Sequence, residues 1–426
     1  MDHTLRPDIR SRSYPASVLE SVIRCRMPFE NRDAVLTQAR QKFDLTIAEA
    51  ADDVKDLFNC LKLCYSGYDD FFTDASCKQI QDKILKKLSH RIGRRISNEW
   101  LCEIIYRVLK PVIAESHFSL TAGGLYRQFS QPFVTYVTDA LVKKADNGYL
   151  VIRGTGWLKT GALLTEKDMP KLLPTIAPEW MENADDQLYL IGSYSVKKVS
   201  SLWVAGKRVR LHRLLSDCAV HADISHIEDK GDYVIAYHPT YDLERSEAVY
   251  ERFFNDGRLC AGKSAVILDL TGNTGGNDNF PEAFFRGLSG SDYRELTVEK
   301  LTDPQQLTNA ERTIETIRPS DGKAKGTCDG KVYVLMNKAS ASSAESAIAM
   351  AKALPGAVQF GGASYGCGTY GDCYYYALPN SRIAVQFGYK KFHYPSFAEG
   401  KGFFPDYWID HTEPLRVVEH YLLKWR

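Results

Sequence analysis

Residues Asn337–Ala353 read NKASASSAESAIAMAKA, directly after the apolar run KVYVLM at Lys331–Met336. A buried strand handing over to a helix through Ser340, Ser342 and Ser343 places a hydroxyl beside the unpaired first amides of the helix. There the helix dipole favours developing negative charge. Such a hydroxyl can serve as a nucleophile, and small neighbours such as Ala341 and Ala344 leave room for a substrate backbone. The same residues also read as a helix start, with Ser340 or Ser342 as cap and Glu345 in the first turn. A second stretch, DLTGNTGGND at Asp269–Asp278, follows the apolar SAVILDL. Gly275 and Gly276 let backbone approach a ligand with no Cβ in the way, and such a turn can aim N–H groups at an oxyanion. It fits neither GxGxxG nor a Walker loop, and a tight strand-to-helix turn accounts for it as well.

These residues need elements to position them. From Pro15 to about Ala114, runs such as ADDVKDLFNCLKLCYSGY and SNEWLCEIIYRVLKPVIAES repeat apolar residues every three or four positions, the period of helices. Ser97, with Glu99 and Trp100 behind it, marks a helix start. PFVTYVTDALVKKADNGYLVIRG then reads as strand, turn and strand, with Asp146-Asn147-Gly148 as the turn. From about residue 233 apolar strands alternate with amphipathic helices, and glycine turns follow the strands, where α/β folds build sites. We therefore expect a multidomain α/β protein. Its parts are a helical domain over 1–125, a β-rich domain of PDZ-like size over 126–232 without a clear carboxylate-binding loop, and an α/β core over 233–426.

Composition narrows the partners. With 54 basic and 53 acidic residues the net charge is +1, which gives no electrostatic case for nucleic acid or an anionic membrane. No apolar run approaches membrane-spanning length. Ten cysteines lack CxxC spacing, so structural zinc is not expected. The opening MDHTLRPDIRSRSYPASVLES has no apolar h-region, and the expectation is a cytoplasmic protein with reduced cysteines, a trimmed secreted form being the alternative. Nothing in the sequence sets an oligomeric state.

Five stretches occur in a telling order: VILDLTGNTGG, VLMNKASASSAESA, GGASYGCGTYG, YYALPNS and EGKGFFPDYWI. Together, over about 236–412, they resemble the C-terminal processing and tricorn-type serine peptidases of family S41. That family runs an Asp-Leu-Arg-x-Asn-x-Gly-Gly loop, a small-residue SAxxE helix, a Gly-x-Gly loop, LPNS and EGxGxxPD. The resemblance implies a Clp protease/crotonase-like spiral core and a peptide or protein substrate, with no metal or organic cofactor. It implies Ser342 as nucleophile. The N–H groups of Ser343 and of Gly275 or Gly276, Gly275 by preference, would form the oxyanion hole, and Ser340 and Ser346 would be supporting residues. One branch of the family takes its base from a lysine in a GKG loop; here Cys367 stands at that place, and Lys338 and Lys352 lie elsewhere. The other branch uses a histidine in a DGHTxL-like motif, which ESHFSL matches at His117 with Glu115 in place of the aspartate. A glutamate of EGxGxxPD then orients the imidazole, which implies Glu399. Thr271 stands where the family has arginine. His238 and His393 read as ordinary hydrogen-bonded or surface residues, and Cys367 has no cation beside it in sequence. Two alternatives remain: a non-catalytic relative binding a peptide or hydrophobic ligand, and a crotonase-type acyl-CoA enzyme, against which the SAxxE helix speaks.

Overall fold

The computed structural model describes residues 8–27, 31–91, 93–168, 171–176, 187–318 and 325–424. The chain forms two compact units, each assembled from separate stretches. The first comprises Met1–Gln131, Leu296–Asp321 and Thr369–Pro395; the second comprises Pro132–Glu295, Gly322–Gly368 and Ser396–Arg426.

In the first unit the helical periodicity is realised as helices including Ala16–Cys25, Ile47–Cys64, Asp74–Ser89 and Asn98–Leu109. On Ile47–Cys64 the positions Val54, Leu57, Phe58 and Leu61 share one face and are wholly buried. The helix starts at Thr46, whose Oγ1 accepts the Glu49 N–H at 3.2 Å while Glu49 Oε2 accepts the Thr46 N–H at 2.7 Å. Two end amides are thereby satisfied at once. Ser97 caps Asn98–Leu109, accepting the Trp100 N–H at 3.2 Å, as the sequence suggested. These helices share one core with a sheet that is antiparallel and seven-stranded among the described residues; Leu120, Val385 and Phe387 of its strands and the adjoining Phe118 fill that core. The sheet joins distant parts of the chain: one edge of Ala384–His393 pairs with Tyr370–Ala377, and the other pairs with Ser119–Ala122 at its start and Thr297–Leu301 at its end.

The second unit is built on a sheet with twelve strands among the described residues. Tyr233–Tyr237, Ala265–Asp269, Lys331–Met336, Val358–Gly361 and Tyr407–Trp408 run parallel in that order. The first two are buried at every residue, and in Lys331–Met336 only Lys331 is exposed. Continuous apolar runs of this kind suit strands covered on both faces. Helices Glu247–Ala261 and Asn279–Ser289 pack closely because Gly257 and Gly287 admit backbone: a Cβ at Gly257 would stand 2.1 Å from Phe284 O. The terminal helix Pro414–Lys424 adds Val418 and Leu422 to the core around Tyr333, Leu335 and Phe360.

The sheet continues through Lys171–Thr175 into the antiparallel strands Leu188–Ser195, Val134–Ala145 and Gly148–Arg153. The turn expected at Asp146–Gly148 joins the last two. Gly148 holds φ +142°, and a Cβ there would meet Leu164 O at 2.0 Å. Chain-order patterning places a boundary near residue 232, whereas hydrogen bonding carries one sheet across it.

Candidate active site

Lys331–Met336 and Ala265–Asp269 are neighbours in the parallel sheet, so their C-terminal turns lie side by side. The two turns are stitched together. Ser340 Oγ donates to Leu270 O at 2.8 Å and accepts the Asn337 N–H at 3.0 Å, and the Ala341 N–H donates to Asn273 O at 2.9 Å. Ser342 follows with φ +54° and ψ −118°, a conformation unusual for a non-glycine residue, and the helix Ser343–Lys352 begins immediately after it. Such backbone costs on the order of 1–3 kcal/mol and persists where its surroundings enforce it. Gly275 supplies part of that enclosure: a Cβ on it would fall 2.7 Å from Ser342 Cβ, 2.8 Å from Ala341 O and 3.0 Å from Ser343 N. Gly275 therefore brings bare backbone against the serine and the first helical amide, while Gly276 does so against Tyr241 and Asp242.

The amides around Ser342 differ in their engagement. Among the described residues the Ser343 and Gly276 N–H groups have no acceptor, whereas the Gly275 N–H donates to Asn273 Oδ1 at 2.8 Å. Asn273, wholly buried, also donates from Nδ2 to His238 O at 2.7 Å, which locks the loop.

Glu345, one turn into the helix and wholly buried, ties the serine to a second loop. Its carboxylate accepts from Ser342 N at 3.2 Å, Ser364 Oγ at 2.6 Å, Gly366 N at 2.7 Å and Cys367 N at 2.8 Å. Burial raises its pKa, and the hydrogen bonds from Ser364, Gly366 and Cys367 oppose that rise. Lys338 is the nearby cation. Its Nζ donates to Ser364 O at 2.7 Å and Tyr365 O at 2.8 Å, and burial lowers its pKa to about 8. An ammonium committed to two carbonyls is a brace rather than a base. The segment that follows Glu399 is tied to the same loop: Gly400 N donates to Gly366 O at 2.7 Å, and Phe403 N to Ser364 Oγ at 2.7 Å. Ser342, Glu345, the 364–367 loop and the segment from Glu399 to Phe403 thus form one hydrogen-bonded chain in the second unit.

Several organising residues escaped sequence reasoning. Asn337 Oδ1 accepts from Gly272 N and Ala339 N, and its Nδ2 donates to Ser216 O and Ala219 O at 3.1 and 2.7 Å. Thr271, in the family's arginine position, donates to Asp269 Oδ1 at 2.7 Å, while Asp269 Oδ2 lies 2.7 Å from His221 Nδ1. Only the asparagine of the Gly-rich motif was visible as a signal; Asn337, His221 and Ser364 depend on partners far off in sequence. Ser346, read as supporting, donates to Asp278 Oδ2 at 3.0 Å.

The remaining candidates take distinct places. His117 lies in the first unit, half-buried, just before strand Ser119–Ala122. Its N–H donates to Glu115 Oε1 at 2.6 Å, and Tyr65 donates to Glu115 Oε2 at 3.3 Å. Glu115 is wholly buried, so it braces the turn that carries the histidine. His238 is enclosed by Phe253 and Phe284, with Nδ1 2.9 Å from Tyr241 OH. Burial drives its pKa down to about 3, so it is a neutral core residue. His393 is exposed and 3.8 Å from Glu299. Lys352 Nζ donates to Gln359 Oε1, and Cys367 is buried. Among the described residues no group of three or more His, Cys, Asp or Glu is placed to hold a metal, and no helix is long and apolar enough to cross a membrane.

The arrangement occupies the segment that decides the comparison with known proteins. Residues 241–409 match the model of Peptidase family S41. The matched stretch carries Ser342, Ser343, Gly275, Gly276, Glu345 and Glu399, and the S41 match supports a peptidase acting on peptides or proteins. No curated protein matches the chain. Among solved structures, mature CPAF complexed with lactacystin is 13% identical, with 89% of this chain and 97% of that chain covered at a TM-score of 0.44. The photosystem II D1 C-terminal processing protease is 14% identical, covering 85% and 93% at 0.40. A peptidase candidate from Parabacteroides merdae ATCC 43184 is 11% identical, covering 88% and 96% at 0.48.

Proposed function

We propose that the protein is a serine peptidase in which Ser342 is the nucleophile, His117 the general base and Glu399 the residue that orients the imidazole. The observation that carries this reading is Ser342 itself. It combines positive-φ backbone, a helix N-terminus and a glycine loop against its Cβ, within the segment that matches family S41.

His117 takes the proton from Ser342 Oγ as the oxygen attacks the peptide carbonyl carbon. The N–H groups of Ser343 and of the Gly275–Gly276 turn hold the resulting oxyanion. With the Gly275 amide given to Asn273, Gly276 is the donor of the pair that needs no rearrangement. Collapse of the tetrahedral species breaks the C–N bond, the imidazolium delivers its proton to the leaving amine, and an acyl-enzyme remains. Water, deprotonated by His117, then releases the acid and restores the serine. The absence of the lysine-branch base favours His117, because Cys367 holds that position and Lys338 is bound to carbonyls.

A fluorophosphonate probe should label the wild-type chain and not Ser342→Ala. Labelling that survives in Ser342→Ala would remove the nucleophile assignment. Absence of labelling in the wild type would instead favour the ligand-binding relative, for which the missing lysine is the supporting feature. We further propose a cytoplasmic setting with thiols reduced, which the burial of Cys25, Cys60, Cys64, Cys77, Cys102, Cys260 and Cys367 suits.

A further inference from the structure

In the second unit, Ser201–Val204 and Lys207–Arg210 form a two-stranded antiparallel ribbon that pairs with no other strand among the described residues. The pairing register sorts its side chains by face. Leu202, Val204 and Val209 point inward to a core that includes Val142, Ile191 and Trp157. Trp203 sits opposite Arg208, and Ser201 opposite Arg210, on the other face. Trp203 is 65% exposed, and both arginines are exposed. Arg208 is oriented by its neighbour, donating from Nη2 and Nε to Ser201 Oγ at 2.6 and 3.1 Å.

The charge of this region is one-sided. Between Gln187 and Ser216 there is no aspartate or glutamate, while Lys197, Lys198, Lys207, Arg208, Arg210 and Arg213 all fall within it. Of these, only Arg213 has a carboxylate partner among the described residues, Asp217 at 3.7 Å. In a chain whose net charge is +1, an exposed tryptophan flanked by two arginines without counter-ions among the described residues is a localised feature rather than a general basic surface.

We propose that the outer face of this ribbon, Trp203 with Arg208 and Arg210, is a docking site for an acidic segment of a polypeptide. The guanidinium groups suit carboxylates, and the indole suits an apolar or aromatic side chain between them. The choice of a polypeptide rests on the peptidase reading: the ribbon belongs to the unit that carries Ser342, and an acidic tract would hold a protein substrate to that unit.

The test uses the full-length Ser342→Ala protein, so that binding is read without cleavage. A fluorescent twelve-residue peptide rich in Glu and Asp with one Phe is titrated by anisotropy against this protein, its Arg208→Glu/Arg210→Glu derivative and its Trp203→Ala derivative, with melting curves as a check on folding. The proposal expects binding that falls about tenfold or more in the double charge reversal, weakens in Trp203→Ala and diminishes with added salt. Equal binding by all three proteins overturns it. So does binding confined to phosphatidylserine vesicles or to DNA, with the peptide ignored. In the second arm the active chain cleaves a neutral peptide and the same peptide with an acidic tail. A lower KM for the tailed peptide with kcat unchanged, abolished by the charge reversal, supports docking; an equal KM overturns it. Failure to cleave either peptide while the acidic probe still binds discards the peptidase reading and upholds the ribbon as a docking site.

Discussion

Two regions of the second unit carry charge in opposite ways. Around Ser342 the charged residues are buried and matched: Glu345 receives four hydrogen bonds, and Lys338 donates hydrogen bonds to two carbonyls. On the ribbon, Arg208 and Arg210 are exposed, and neither has a carboxylate partner among the described residues. A buried ion that loses its partner typically costs about 3–5 kcal/mol, whereas exposed pairs contribute roughly 0–1 kcal/mol. Charge in the first region therefore fixes geometry, and in the second it remains available for something outside the chain. Substitutions in the two regions should separate accordingly.

The largest effect expected is on turnover. Ser342→Ala and His117→Ala should each lower kcat/KM on a cleavable peptide by about four orders of magnitude or more, because residues acting as one unit fail together. Both should melt as the wild type does. His393→Ala, outside the proposed machinery, should stay within about twofold of wild type. A His117→Ala enzyme of near-normal activity would transfer the role of base to another residue while leaving the nucleophile in place.

Next comes the brace. Glu345→Ala removes one acceptor from Ser342 N, Ser364 Oγ, Gly366 N and Cys367 N together. It should cost about 3–5 kcal/mol in a denaturant titration and reduce activity with it. Glu345→Gln keeps the shape but turns an NH2 toward groups that donate, so an intermediate loss is expected. Full stability in Glu345→Ala would show that the buried charge is not what holds the serine turn.

This division also explains what could be read from the chain. The helices, the parallel strands and the turns at Ser97 and Asp146–Gly148 were legible, because periodicity, caps and turn chemistry are local. The strand-to-helix position of Ser342 was legible for the same reason. Its φ of +54° was not, since that conformation depends on Gly275 and Asn273 meeting it from another strand. The two discontinuous units were equally invisible: Ala384–Gln386 pairs with Ser119–Thr121 across more than half the chain, and no local pattern records that pairing. Glu345 looked like a capping residue in sequence. Its larger part, anchoring Gly366 and Cys367, appears only in three dimensions.

A third prediction concerns pH and the same buried cluster. Asp217 is buried with Arg213 Nε 3.7 Å away, and burial raises its pKa to about 6 from 3.8 against the lowering by Arg213 and Lys338. Between about pH 4 and 6 the folded protein therefore holds a proton there that the unfolded chain has released. Stability from this residue is present at acid pH and lost as pH rises from about 4 through 6, by up to ~3 kcal/mol. Denaturant titrations from pH 4.5 to 7.5 should show that loss in the wild type and a flatter profile in Asp217→Asn. Parallel profiles would mean that Arg213 and Lys338 already hold the carboxylate ionised.

The smallest effect is the one that completes the comparison. Reversing Arg208 and Arg210 to glutamate should change unfolding free energy by less than about 1 kcal/mol, because neither side chain loses a carboxylate partner and both remain in water. Among the described residues the side-chain contact given up is the pair of hydrogen bonds from Arg208 to Ser201 Oγ, which solvent can replace. Cleavage of a short neutral peptide should likewise be unchanged. If the reversal instead destabilised the protein as strongly as Glu345→Ala, the arginines would be structural, and the exposed face would have no charge to spare for a partner.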